Sequence, residues 1–79
     1  MKPANLIENR IEKIQACHQW MLEVEARHLL VGAYAALTNA YGLSGKELQD
    51  ELDSVVESIC SSSRGKVMRT LQMSGGLST

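Results

Sequence analysis

The chain has 79 residues, 44% of them apolar and 22% charged, with a formal net charge of −1. That length holds one domain and excludes an enzyme fold built on a large sheet or barrel. The composition is too apolar for a disordered tail, and the near-neutral total argues against a dedicated duplex-DNA binder, whose affinity rests on neutralised phosphates.

A single core of this size rarely supplies more than ~3–5 kcal/mol, so a staple or a partner chain is expected. With one Trp, two Tyr and no Phe, the core must be aliphatic. Charge is unevenly placed. Residues 1–43 balance, and residues 44–60 set Lys46 against Glu47, Asp50, Glu51, Asp53 and Glu57. Residues 61–79 carry Arg64, Lys66 and Arg69 with no acid.

The first segment, about Asn5 to Tyr41, contains no proline. Asn5 and Glu8 have capping-box spacing. Ile7, Ile11, Ile14, Met21, Val24, Val31 and Ala35 recur at steps of three, four and seven, a helical period. A second stripe, Leu22, Ala26, Leu29, Ala33, Leu37 and Ala40, starts halfway along. Read as one helix, the segment runs about 37 residues and about 55 Å. A break near Gly32 is the alternative, giving a small three-helix bundle. Glu23 and Arg27 form a favourable i,i+4 pair. Tyr34 and Tyr41, seven apart, are expected to line the interior.

Gly42 stands where a left-handed C-cap belongs. Ser44-Gly45-Lys46-Glu47 is an S-x-x-E capping box, with Leu43 and Leu48 as a hydrophobic staple. The second helix therefore starts at Ser44. Leu48, Leu52, Val55, Val56 and Ile59 form its apolar face, opposite Glu47, Asp50, Asp53 and Glu57. It ends in the loop-like run Cys60–Gly65. Lys66 to Met73 reads as a two-turn helix or an extended arm, and 74–79 as a flexible tail.

The expected fold is all-α. A long N-terminal helix and a second helix form an antiparallel hairpin, with a short C-terminal helix or arm. Residues 1–73 make one domain. A long first helix overhangs the second, so dimerisation into a four-helix arrangement follows. Ile7, Ile11, Ile14, Met21, Val24 and His28 are the expected self-association residues. Polar groups on such a seam specify pairing at a cost in stability.

Chemistry is sparse. Cys17 and His18 are adjacent on a helix, so their side chains diverge by about 100° and make no nucleophile–base pair. Ser44 is a cap, and no P-loop, G-x-G-x-x-G or C-x-x-C is present. No enzymatic activity and no cofactor are expected. Glu25-Ala26-Arg27-His28 is an E-x-x-H, the pattern that di-iron bundles use twice. It occurs once, so Glu25 and His28 make a third reading, a metal-binding oligomer. Cys17 and Cys60 are too few for a disulfide scaffold and read as small buried thiols, with a bridge as the alternative. The N-terminus lacks a signal-peptide core, and the apolar stretch Leu29–Leu37 is too short to span a membrane, so the cytoplasm is the expected location.

The leading expectation is a non-enzymatic protein that self-associates and modulates, by inhibition, a protein partner. Trp20, Asp50, Asp53, Glu57, Arg64, Lys66 and Arg69 are the residues expected to meet that partner. In size and outline it resembles the small helical regulators of phages and plasmids, a likeness carried by no residue motif. The alternative is a nucleic-acid-binding helical dimer using Arg64, Lys66 and Arg69.

Overall fold

The computed structural model describes residues 3–73; the expected flexible tail, 74–79, lies outside the described residues. Four α-helices follow one another: α1 (Pro3–Cys17), α2 (Glu23–Ala35), α3 (Gly45–Ser61) and α4 (Arg64–Met73). A π-helical turn, Ala36–Ala40, extends α2. The expected all-α class is observed, and no strand occurs among the described residues.

Helix α1 opens on Pro3, whose fixed φ and missing N–H suit the first turn. Asn5 lies inside α1, two residues past its start, and not ahead of it as expected. Ile7, Ile11 and Ile14 are buried at steps of four and three, and His18 continues the stripe.

The long first helix is two helices, divided at 18–22 and not at Gly32. No glycine or proline marks the division. Local bonds close it. Met21 N–H donates to the His18 carbonyl at 3.0 Å, and the Gln15 side-chain amide donates to the Met21 carbonyl at 3.2 Å. Leu22 is extended, φ −76° and ψ 153°, and ends the helical path. Its N–H donates to Glu25 Oε1 at 2.8 Å, which caps α2 from within. Turning here lets Ile14, Met21, Ala26 and Leu30 enter one core. A straight helix would carry the later residues out of reach. Gly32 lies inside α2, where a Cβ would meet nothing within 4 Å.

The molecule is thus 31 × 24 × 19 Å, with a Cα radius of gyration of 12.0 Å. Compact chains of this length have a radius near 11.6 Å, so among the described residues no arm overhangs. One chain supplies all four helices of the bundle.

The π-helical turn sets the end of α2. Tyr41 N–H donates to Ala36 O at 3.3 Å, an i→i−5 bond. The extra residue shifts the phase of everything after it. Tyr34 packs against the Leu6, Leu48 and Leu52 cluster, whereas Tyr41 is 72% exposed. Tyr41 therefore does not line the interior as expected.

Gly42, at φ +66°, takes the left-handed position expected of it. Helix α3 starts directly after Ser44, as expected, but Ser44 makes no side-chain cap bond. The chain enters α3 through Gly45 at φ +58°, a conformation that only glycine adopts freely. The Leu43–Leu48 staple is present in the same small cluster. Segment 64–73 is helical: Ser63 caps it, accepting from Lys66 N–H at 3.3 Å, and Val67 and Leu71 are buried.

Candidate functional site

Helix α2 is apolar on two opposite sides. Ala26 and Leu30 are fully buried, with Leu29 and Ala33 packed beside the two clusters. On the far side, Val24, His28, Val31 and Ala35 follow at steps of four, three and four. Val24 is 52% exposed and Val31 46%, Ala35 is exposed and His28 half-buried. Gly32 and Ala36, both exposed, flank the stripe. A helix on a globule's surface ordinarily presents charge there. Here residues 28–45 contain no Asp, Glu, Lys or Arg at all. Leu22 and Tyr41 add exposed apolar surface before and after the helix.

The charges of α2 are confined to its first turns. Arg27 joins the Glu8 carboxylate of α1 and also Glu23, 2.7 Å away. The expected i,i+4 pair is therefore present and shared with a second acid. Its bond to Glu8, then that to Glu23, raises the guanidinium pKa above its ordinary value. Charge at this end is thereby paired, and the stripe beyond it carries no Asp, Glu, Lys or Arg.

Of the residues expected to mediate self-association, four lie inside the chain's own core. Ile7, Ile11, Ile14 and Met21 pack together with Ala26, Leu30, Val56, Val67 and Leu71. Their apolar surface is already covered. Of the other two, on the α2 stripe, Val24 is exposed and His28 is half-buried.

The residues expected to meet a partner fall into separate groups. Trp20 lies in the turn between α1 and α2, half-buried. The His18 ring meets it edge-on, with centroids 5.7 Å apart and planes at 65°. The Arg64 guanidinium stacks 5.1 Å from the Trp20 centroid. That cation–π contact ties the start of α4 to the turn. Arg64 is one of three bases on α4, with Lys66 and Arg69. Those two are exposed further along α4.

The acids of α3 are partly engaged. Asp53 Oδ1 accepts from Arg10 Nε at 2.9 Å, and Asp50 pairs with Lys46 at 3.1 Å. Glu57 is exposed. Arg10 was invisible as a structural residue in the sequence. Its side chain, 12% exposed, also donates to the carbonyls of Leu6 and Gln49, at 2.9 and 3.4 Å. The spacing of Arg10 from Ile7 and Ile14 placed it beside the buried stripe, which was the available signal.

The E-x-x-H pair is split by role. Glu25 Oε1 holds the Leu22 amide at the helix start. His28 lies with Leu29, Gly32, Ala33 and Thr70 along a cleft between α2 and α4. Among the described residues, no group of three His, Cys, Asp or Glu side chains is arranged to hold a metal ion. A second cleft of about 210 Å³ runs between α3 and α4, lined by Val55, Ile59, Lys66 and Val67. Among the described residues, no helix is long and apolar enough to cross a membrane.

No family model, curated protein or solved structure matches this chain. The α2 stripe is therefore weighed on its own chemistry.

Proposed function

We propose that this chain is a small non-enzymatic interaction protein that self-associates through the outer face of α2 and modulates a protein partner. The observation that supports the reading is the exposed apolar stripe Val24, Val31 and Ala35, with half-buried His28 among them, opposite an already buried face. Its occupant is a second copy of the same chain. The 4-3-4 spacing is that of a helix-pairing seam. Gly32, Ala35 and Ala36 leave room for a close approach of two backbones. A face without Asp, Glu, Lys or Arg brings no such charges against its own image in a symmetric contact. Fully burying a valine side chain is worth ~1.5–3 kcal/mol, and with Val24 52% and Val31 46% exposed each copy's pair adds about half of that per valine to the contact.

In the dimer, the Trp20–Arg64 edge and the acids of α3 lie on other elements and stay open to the partner. Inhibition of that partner is the mode proposed. The test is sedimentation equilibrium of the wild type and Val31→Lys across micromolar to submillimolar concentration. Val31 is exposed, so the variant keeps its helical circular dichroism. A wild-type dimer weakened at least about tenfold in Val31→Lys, a loss of ~1.4 kcal/mol, supports the reading. A wild type that stays monomeric throughout overturns it. The same two proteins then serve as bait in lysate, with and without nuclease. Recovery of nucleic acid that is lost on nuclease treatment and on substitution of Arg64, Lys66 and Arg69 replaces the protein-partner reading.

A further inference from the structure

Helix α1 approaches the last turn of α3 at two bonded points. The Cys60 thiol donates toward the Lys13 carbonyl oxygen, 3.9 Å from Sγ. One turn further along α1, His18 Nε2 lies 2.7 Å from the Ile59 carbonyl oxygen. Cys17 is four residues after Lys13 and next to His18, so it stands between these two points. Lys13 stands at the i−4 position to Cys17, so the Cys60 sulfur lies against the turn of α1 that carries Cys17. Cys17 is exposed and Cys60 half-buried. Two cysteines 43 positions apart in the sequence therefore meet at the last turn of α1, one exposed and one half-buried.

We propose that Cys17 and Cys60 form a thiol–disulfide exchange site, in which Cys17 reacts with a low-molecular-weight disulfide such as oxidised glutathione and Cys60 resolves the product to an intramolecular disulfide. In the first step the Cys17 thiolate attacks one sulfur of the glutathione disulfide. The Cys17–glutathione S–S bond forms, the glutathione S–S bond breaks, and one glutathione thiolate leaves. In the second step Cys60 gives up its proton to solvent and attacks the Cys17 sulfur, expelling the second glutathione. The two cysteines are oxidised by two electrons and the glutathione disulfide is reduced to two thiols.

The order of attack follows from the surroundings. Burial, then the bond and charge of Cys17, push the Cys60 thiol up to about 11, with Lys13 opposing and Glu57 adding to the shift. The His18 ring lies beside it, bonded to the preceding carbonyl. Cys60 is thus almost wholly protonated at neutral pH, and the exposed Cys17 is the entry point. Once Cys17 is in the mixed disulfide its negative charge is gone, which eases ionisation of Cys60. The resolving step accelerates as pH rises.

The test is to incubate the reduced full-length protein with oxidised glutathione at pH 8, quench with acid at intervals and record intact mass. The expected course is a transient adduct of one glutathione, replaced by a monomer two hydrogens lighter than the reduced chain. Cys60→Ser stops at the adduct, and Cys17→Ser reacts at least about tenfold more slowly. Both keep the helical circular dichroism of the wild type. The oxidised monomer melts on the order of 10 °C higher, because α1 is tethered to α3 in the unfolded chain. A wild type that accumulates the adduct, or that forms Cys17–Cys17 linked dimers, overturns the proposal. So does a Cys17→Ser variant that reacts as fast as the wild type. The pair lies on α1 and α3, so neither result depends on whether the α2 stripe dimerises.

Discussion

His18 Nε2 lies 2.7 Å from the carbonyl oxygen of Ile59, fastening the end of the α1 stripe to the last turn of α3. A carbonyl only accepts, so Nε2 carries the proton. His18→Phe keeps a ring of similar size beside Trp20 and removes the donor. The Ile59 carbonyl retains the Ser62 N–H at 3.2 Å, so it is not orphaned. The expected cost is about 1 kcal/mol, near the net worth of one hydrogen bond, read from urea unfolding. An unchanged midpoint would show that packing, not the bond, holds this corner.

Arg10 and Asp53 form one ion pair, but the two ends differ in their surroundings. The Arg10 side chain is 12% exposed and bonds two carbonyls besides Asp53, whose side chain is 56% exposed. Asp53→Asn removes a partly solvated charge and leaves the carbonyl bonds intact, at an expected cost below about 1 kcal/mol. Arg10→Ala removes three bonds and the packed stem, costing about 2–3 kcal/mol. Chemical denaturation of both variants separates the two. Equal losses would mean that the carbonyl bonds contribute nothing.

Two glycines respond in opposite directions. Gly42 at φ +66° ends the helical stretch, and a Cβ there is strained although it meets no atom within 4 Å. Gly42→Ala is expected to destabilise by about 1–2 kcal/mol. Gly32 is helical, exposed and equally open. Gly32→Ala is expected to stabilise the monomer by up to about 1 kcal/mol, by helix propensity and reduced freedom of the unfolded chain. Thermal melts at dilute concentration check both. A gain at position 42 would show that the turn does not require the left-handed conformation.

The helical class, the left-handed Gly42 and the start of α3 are legible because each has a local cause. Helical period marks Ile7, Ile11, Ile14, Leu48, Leu52 and Val56 as apolar-face residues, and all six are buried. The division at 18–22 has no Gly, Pro or Ser/Thr cap to announce it. Its trace in the sequence is the second apolar stripe that begins at Leu22, which reads equally well as one helix gaining a second neighbour. The deciding factor is tertiary: only a turned chain buries Met21 and Leu30 in one core. That single division also moves the exposed apolar stripe. The isoleucines expected on a seam become interior, and the exposed stripe falls on α2. Val31 stood in the same periodic series as the buried residues, so period alone did not separate it from them. The contact between Trp20 and Arg64 joins residues 44 positions apart and has no local signature.

The reduced protein is expected to lose stability between pH 9 and pH 11 through Cys60. Its ordinary pKa is 9.0, and the folded chain pushes it up to about 11, first by burial and then by Cys17. Between those values the unfolded chain releases the proton and the folded chain keeps it. The folded state then binds more protons, so its stability falls as pH rises. The contribution is fully present below pH 9 and is lost as pH passes 11. Lysines and tyrosines also ionise in this window, so the measurement is a difference. Urea midpoints of the wild type and Cys60→Ala are compared under reductant at pH 8, 9 and 10. The wild type is expected to decline more steeply than Cys60→Ala. Parallel declines would place the folded Cys60 thiol at its ordinary value, and Cys60 would then resolve a mixed disulfide without the help of alkali.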